Sequence, residues 1–289
     1  MQNLKNKFIF GTLFVLVTAN FFIYYALASE ERDGILKVIF LDIGQGDAIF
    51  IEAPNGNQML IDGGSGAQVL SALSEVMPTY DHSIDVVLAT HPDKDHIGGL
   101  PLVLDRFDVE MVIVSGAHSD TATFEAFENK IEERGVQKIV ARRGMRLFLD
   151  DEIYFDVLYP DADVSNLKDT NEASIVAKLI YKNESFLLTG DAPIKVEQRL
   201  VSMDSGNLDS NVLKLGHHGS RTSTSGLFLN AVTPEYAIVS AGCKNSYGHP
   251  HKEVIALLGK FNVKKFGTCE SGTVLFRTDG EELSYETEK

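Results

Sequence analysis

Thr90-His91-Pro92-Asp93-Lys94-Asp95-His96-Ile97-Gly98-Gly99 places four metal-ligating side chains, His91, Asp93, Asp95 and His96, within six residues. The run before it, residues 84–89, reads as a buried strand, and a helix-like segment begins near Gly98. Spacings of i, i+2, i+4 and i+5 do not share one helix face. They suit a loop that is extended and then turns, converging two imidazoles and two carboxylates on a pair of metal ions. A dry core does not collect that chemistry unpaired. One histidine at a strand end is most often structural; four ligands together, with more downstream, define a metal loop.

Outward from this loop the chain keeps one grammar, in which short apolar runs end in polar loops. On the N-terminal side, residues 35–41 form a β-rich run that ends in Asp42-Ile43-Gly44-Gln45-Gly46-Asp47. Strands follow at 48–52 and 58–61, separated by the turn Pro54-Asn55-Gly56-Asn57 and closed by Asp62-Gly63-Gly64. Residues 69–77 have helical spacing. Beyond the loop, 109–115 reads as a strand and 121–134 as an amphipathic helix with Phe124, Phe127 and Ile131 on one face, capped by Thr121 or Thr123. The second half is expected to hold strands at 138–140, 146–149 and 154–158 and a hairpin around Lys182-Asn183 that ends at Gly190-Asp191. A helix follows from Pro193. The run 212–215 leads into Gly216-His217-His218-Gly219-Ser220, and 236–240 leads into the loop of Asn245 and His249. The stretch 279–289 reads as an acidic, frayed tail. With no fixed repeat, low-complexity tract or long linker, residues 34–289 read as one α/β domain of two similar halves.

Residues 1–33 belong to targeting. Residues 8–28 carry no charge, follow Lys5 and Lys7, and precede Glu30, Glu31, Arg32 and Asp33. That length spans a bilayer as a helix, and the lysines favour keeping its N-terminal side in the cytoplasm. The remainder is then exported. Ala26-Leu27-Ala28 also fits a cleavage site, so the domain is either anchored in the cell membrane or secreted after cleavage near Ala28. Cys243 and Cys269 could pair in an oxidising compartment or stay as separate buried thiols; neither sits in a Cys-x-x-Cys pattern. With 41 acidic against 26 basic residues, the formal charge of −15 opposes a broad nucleic-acid-binding face, and bound divalent metals would cancel part of it. Arg142, Arg143 and Arg146 form a compact basic group that reads as a solvated turn rather than a phosphate contact.

The ordered set Asp62-Gly63-Gly64, His91-x-Asp93-x-Asp95-His96, Gly190-Asp191 and His217-His218-Gly219-Ser220 resembles the motifs of the metallo-β-lactamase fold. More narrowly, Asp42-Ile43-Gly44-Gln45-Gly46-Asp47-Ala48, Leu188-Thr189-Gly190-Asp191-Ala192 and Asn245-x-Tyr247-Gly248-His249-Pro250 resemble the C-terminal hydrolase domain of the ComEC-like competence proteins. The likeness runs in order over residues 35–280. It implies a four-layer αββα sandwich with a two-metal cleft along one edge of the two sheets, preceded here by one N-terminal hydrophobic helix. A ComEC channel needs many membrane helices, so a stand-alone relative is expected rather than a channel.

Carried over residue by residue, the resemblance implies that His91, Asp93 and Asp191 hold one ion, and that Asp95, His96, Asp191 and His218 hold the other, with Asp191 bridging. His218 is chosen over His217 because the family's ligand precedes the small-residue pair, leaving His217 to donate a hydrogen bond to a leaving group. Two departures stand out. Asp93 replaces the usual second histidine, as in the ComEC-like group, and no histidine occurs from 119 to 216. Asn171 and Ser174 are the nearest polar residues to line the cleft there. Asp95 and His249 join His217 as candidate catalytic residues, with Gln45, Asn171, Ser220 and Asn245 as substrate contacts. Asp42 and Asp62 either orient ligands or simply cap turns.

The cofactors implied are two divalent ions, Zn²⁺ or Mn²⁺, which activate water and polarise a phosphoester. The expected function is an exported metal-dependent phosphodiesterase or nuclease linked to DNA uptake, with a phosphodiester such as DNA as substrate and the membrane as partner through the N-terminal helix. Hydrolysis of a cell-surface phosphoester or small ester is the alternative. A non-catalytic DNA-binding competence accessory is the reading from another class, and the intact ligand set weighs against it. Lactamase chemistry is disfavoured because the nitrogen-rich site of those enzymes is not reproduced.

Overall fold

The computed structural model describes residues 2–28 and 34–289, with side chains for 5–23 and 34–289. The anticipated linker at 29–33, including Ser29 beyond the cleavage pattern, lies outside the described residues. The chain divides into two compact units, one reaching Gly34 and the other running from Ile35 to Lys289.

The first unit contains a helix, α1 (Gln2–Ala28), whose Lys5–Ile23 portion is long and apolar enough to cross a membrane. Its polar side chains bond back to their own helix. Thr12 Oγ1 donates to Phe8 O at 3.0 Å, Thr18 Oγ1 to Phe14 O at 2.7 Å and Asn20 Nδ2 to Leu16 O at 2.9 Å. Polar groups satisfied in this way lower the cost of an apolar surround.

In the second unit the first half supplies β1 (Leu36–Phe40), β2 (Ile49–Glu52), β3 (Gln58–Ile61), β4 (Ser83–Ala89), β5 (Asp108–Val114) and β6 (Gln137–Val140). The second half supplies β7 (Arg146–Asp150), β8 (Ile153–Tyr159), β9 (Val176–Tyr181), β10 (Glu184–Leu188), β11 (Val212–Lys214), β12 (Tyr236–Val239) and β13 (Lys264–Gly267). A closing hairpin, β14 (Val274–Thr278) and β15 (Leu283–Thr287), returns to the first sheet. The sheet orders are β15-β14-β1-β2-β3-β4-β5-β6 and β13-β12-β11-β10-β9-β8-β7. Each sheet begins as an antiparallel meander and turns parallel, from β3 onward in the first and from β10 onward in the second. Parallel strands send their C-terminal ends to the same side, which is where α/β sheets collect ligand-binding loops.

Helices α2 (Gln68–Val76), α3 (Lys94–Ile97), α4 (Leu100–Arg106) and α5 (Ala122–Arg134) connect strands of the first sheet. Helices α6 (Ile194–Asp204), α7 (Gly226–Val232) and α8 (Lys252–Lys260) serve the second, with a one-turn α9 (Thr268–Ser271) after β13. Thr121 caps α5 by accepting from Phe124 N, and Gly135 ends it in the left-handed conformation. Three apolar cores define four layers. Phe40, Phe155, Phe186 and Phe276 fill the space between the sheets. Leu73, Leu100, Val103, Phe127 and Ile131 cover the outer face of the first sheet, and Leu200, Phe228, Leu229, Val254 and Leu258 that of the second. Each such side chain contributes about 1.5–3 kcal/mol by leaving water. The architecture is the expected αββα sandwich.

Two expectations change. Residues 283–287 are not a frayed tail but strand β15, paired with β14, because the ring of Tyr285 packs 4.7 Å from that of Phe266. Residues 138–140 belong to the first sheet rather than the second half, as its β6 edge strand. The basic group is the solvated turn expected, with its side chains tied down: Arg143 pairs with Asp204, Arg146 with Asp156, and Arg142 donates to Ser115 O and Ala141 O.

Cys243 and Cys269 form a disulfide, with Cα atoms 4.9 Å apart and a sequence separation of 26. It ties the loop after β12 to α9. By loop closure it should contribute roughly 3–4 kcal/mol. Cys243→Ser/Cys269→Ser is therefore expected to lower the unfolding free energy by about that amount in a urea titration. An unchanged midpoint would mean that other contacts already hold the loop.

Candidate metal centre

Five strand ends build the centre. β3 ends beside Asp62, whose backbone is left-handed (φ 58°), and β4 ends beside Thr90. Asp62 Oδ1 accepts from Thr90 N at 2.8 Å, while its Oδ2 accepts from Thr90 Oγ1 and lies against His96 Nδ1, both at 2.7 Å. One buried carboxylate thus ties two strand ends together and fixes the His96 ring with Nε2 facing the cleft. Asp62 is therefore an orienting residue. Asp42 caps a turn instead, accepting from Gly44 N and Lys289 Nζ.

The loop after β11 presents His218 in the same way. His217 and His218 are both left-handed (φ 48° and 55°), and His218 Nδ1 lies 2.8 Å from Ser240 O at the end of β12. His218 Nε2 then sits 3.2 Å from Asp95 Oδ2 and 3.5 Å from Asp191 Oδ2. His96 Nε2 sits 3.3 Å from Asp191 Oδ1. Asp191, from the loop after β10, is held through its backbone N–H by Ser174 Oγ at 3.1 Å. His91 stacks obliquely on His96 at 4.1 Å between ring centres, with its Nδ1 3.0 Å from Thr90 Oγ1. Asp93 is the outlying member. Its side chain is 39% exposed, accepts from Thr170 Oγ1 at 2.5 Å, and comes no nearer than 3.8 Å to His91 Nε2.

The electrostatics call for cations. His91 Nε2, His96 Nε2 and Asp191 Oδ1 are buried with no hydrogen-bond partner, although buried polar atoms are normally satisfied. Burial works against a charge on His96 and His218. Asp191 outweighs it, helped by Asp62 at His96 and by Asp47 and Asp95 at His218, so His96 is raised well above its ordinary range and His218 to about 9. Burial, then the charge on His96, pushes His91 down to about 3. Burial likewise opposes ionisation of Asp191 and Asp95, yet their histidine neighbours hold both below the carboxylate range. Bare Nε2 atoms facing carboxylates, with each Nδ1 fixed by an oxygen, form the donor set and outer support of a divalent-metal site.

Two residues beneath the centre escaped the sequence reading. Asp47, from the loop between β1 and β2, forms a buried ion pair with Lys214 at the end of β11. The signal was present: Lys214 is a lone charge in the apolar run Val212-Leu213-Lys214-Leu215. Gly46 (φ 121°) allows this loop to cross the metal loop, because a Cβ there would lie 2.0 Å from Asp95 O. That carbonyl accepts from Asp47 N at 3.2 Å.

The remaining candidates ring the opening. His217 Nδ1 faces Thr222 Oγ1 at 3.2 Å and Asn171 Nδ2 at 3.5 Å, and its Nε2 lies 3.9 Å from Asp191 Oδ2. Burial lowers its pKa despite Asp191. The His249 ring lies 5.4 Å from that of His217 and stacks on the exposed Tyr247 at 5.6 Å. Burial and the neighbouring histidines bring His249 to about 4. Gln45 Oε1 accepts from Gly242 N, with its Nε2 buried and without a hydrogen-bond partner. Two expected substrate contacts are occupied otherwise. Asn245 braces its own loop, accepting from His249 N and donating to Gly242 O and His249 O. Ser220 Oγ is buried and accepts from Thr222 N and Oγ1.

A model of the metallo-beta-lactamase superfamily matches residues 41–243. The chain is 31% identical, over 96% of its length, to ComE operon protein 3 of Bacillus subtilis, covering 37% of that protein. It is 32% identical, over 91% of its length, to competence protein ComA of Neisseria gonorrhoeae, covering 35%. It thus spans about a third of the length of these curated relatives. Among solved structures, Igni18, a metallo hydrolase of Ignicoccus hospitalis, aligns with a TM-score of 0.52 over 83% of this chain and 98% of its own, at 16% identity, a likeness of fold. A sandwich that carries its imidazoles and carboxylates at the strand ends spanned by that match places this chain in the metallo-β-lactamase superfamily.

Proposed function

We propose that this protein is a two-metal phosphodiesterase or nuclease acting outside the cytoplasm, with DNA among its substrates and a role linked to DNA uptake. The observation that carries the reading is the convergence on one cleft of His91 Nε2, His96 Nε2 and Asp191 Oδ1, all buried and without a hydrogen bond, the last two facing each other at 3.3 Å. His91, Asp93 and Asp191 would hold one divalent ion, and Asp95, His96, Asp191 and His218 the other. When bound, such a pair supplies Lewis-acid polarisation of a phosphoester and activation of water. Asp95, anchored to His218 and 30% exposed at its side chain, is the carboxylate best placed to orient the attacking water. His217 Nδ1 is held between Asn171 and Thr222 while its Nε2 lies on the side of Asp191, and the donor role requires the ring proton on Nε2. From there it can donate to the departing oxygen. His249 and Tyr247 form the rim over which substrate enters. A cavity of about 610 Å³, lined by Ala117, His118, Phe124 and Val140, gives a substrate arm room. Val114, Ala117 and Phe124 also line the space beside His91. The names of the competence relatives favour DNA. The formal charge of −15 favours a smaller surface phosphoester as the second reading.

Hydrolysis of single-stranded DNA, duplex DNA, RNA, bis(p-nitrophenyl) phosphate, a lactone and a β-lactam, each with Mn²⁺ or Zn²⁺, tests the reading. Cleavage of DNA and of the aryl diester is expected, with Mn²⁺ at least as effective as Zn²⁺ because carboxylates outnumber imidazoles on the Asp93 side. Cleavage of the lactone or lactam alone would overturn it. So would activity with Zn²⁺ alone that Mn²⁺ inhibits, for the metal preference.

The two adjacent histidines should separate. His218→Ala is expected to empty or weaken one metal position and abolish most activity. His217→Ala should keep two ions per chain while turnover falls on the order of 10²–10⁴-fold. The loss should be smaller with p-nitrophenolate as leaving group. Equal losses on good and poor leaving groups would remove the donor role, and metal loss in His217→Ala alone would exchange the two assignments.

Extracytoplasmic placement is tested on intact cells. Added protease should degrade an anchored domain, and a released form should begin near Ser29. A full-length protein protected in the cytosol would sink this placement.

A further inference from the structure

Asp47, His96, Asp191 and His218 bring ligand atoms within 4.8 Å of one another, all buried, so that by proximity alone they could hold an ion. The directions of approach argue otherwise. Asp47 meets the two histidines on their Nδ1 sides, 3.4 Å from His218 Nδ1 and 3.8 Å from His96 Nδ1. Those nitrogens are already engaged by Ser240 O and Asp62 Oδ2, while Nε2 of each ring faces Asp191. The cluster also contains a cation. Lys214, 1% exposed at its side chain, pairs with Asp47 Oδ2 and donates to Gly190 O, the carbonyl just before Asp191, at 3.3 Å.

We propose that Lys214 is a positioning residue that serves as a built-in cation. Its ammonium holds Asp47 behind the ligand imidazoles and out of the metal shell, and so sets the affinity of the centre for divalent ions. A lysine at this depth is tolerated only because it is paired. Its charge lies on the far side of the same histidines that face the ions, where it repels an incoming cation and Asp47 attracts one. Each member of the pair offsets the other. The inference rests on the reading that the centre binds two metals, and it assigns Asp47 to the support rather than to the ligands.

The test measures Mn²⁺ binding, by calorimetry and by counting ions per chain, on the full protein and on Asp47→Asn, Lys214→Met and the double variant. Asp47→Asn is expected to keep two ions but bind them roughly tenfold or more weakly, the scale of outer-support effects. Lys214→Met should bind them more tightly, and the double variant should return towards the parent. Loss of one ion in Asp47→Asn would make Asp47 a ligand and overturn the proposal. Weakening in both single variants would also overturn it, since that marks a pair that merely holds the fold. If Lys214→Met does not fold, Asp47→Asn alone decides: weaker binding of two ions supports the proposal, and unchanged affinity overturns it. A parent protein that binds no Mn²⁺ or Zn²⁺ would instead overturn the two-metal reading itself.

Discussion

Carboxylates do not leave water without compensation, and this molecule withdraws Asp47, Asp62 and Asp191 almost completely. Everything around them answers that constraint. Asp62 is satisfied by Thr90 and His96, Asp47 by Lys214, and Asp191 faces the imidazoles of His96 and His218, which it draws towards the protonated form. Among the buried polar atoms left without a hydrogen bond, His91 Nε2, His96 Nε2, Asp191 Oδ1 and Asp47 Oδ1 fall together at this centre. Such a cluster of imidazole nitrogens and carboxylate oxygens is one that a bound cation would complete.

The sandwich makes this arrangement possible because its rigid parts end where the chemistry begins. β3 and β4 run parallel, so Asp62 and Thr90 emerge side by side and one carboxylate can bridge them. β10, β11 and β12 do the same for Asp191, His218 and Ser240 in the second sheet. The centre lies between two sets of strand ends, which share the core between the sheets and are each backed by an outer core of their own. Small movements of one loop are thereby resisted by hydrogen bonds to its neighbour.

Much of this was legible in the chain. The spacing of His91, Asp93, Asp95 and His96 announced a metal loop, and alternating apolar runs placed most of the strands. The illegible part has a common physical cause, which is pairing across long sequence distances. Nothing local in Lys214 names Asp47, 167 positions earlier, as its partner. Asn245 looks like a substrate contact until its amide is seen to brace the backbone of its own loop. The acidic composition of 279–289 hid the alternation that lets Leu283 and Tyr285 meet the sheet. Arg143 and Arg146 do lie at the surface, but their partners Asp204 and Asp156 fall outside the local window.

Strand β15 has a consequence beyond its own pairing. It covers one edge of the first sheet, and its neighbour β14 hydrogen-bonds on the other side to β1, the strand that leads into the Asp47 loop. Without β15, β14 would present a row of free amides and carbonyls, a template for joining a second chain. β15 takes the edge in its place and carries the exposed Ser284 and Glu286 there, so the sheet ends in a polar, charged strand while the strands behind it stay covered.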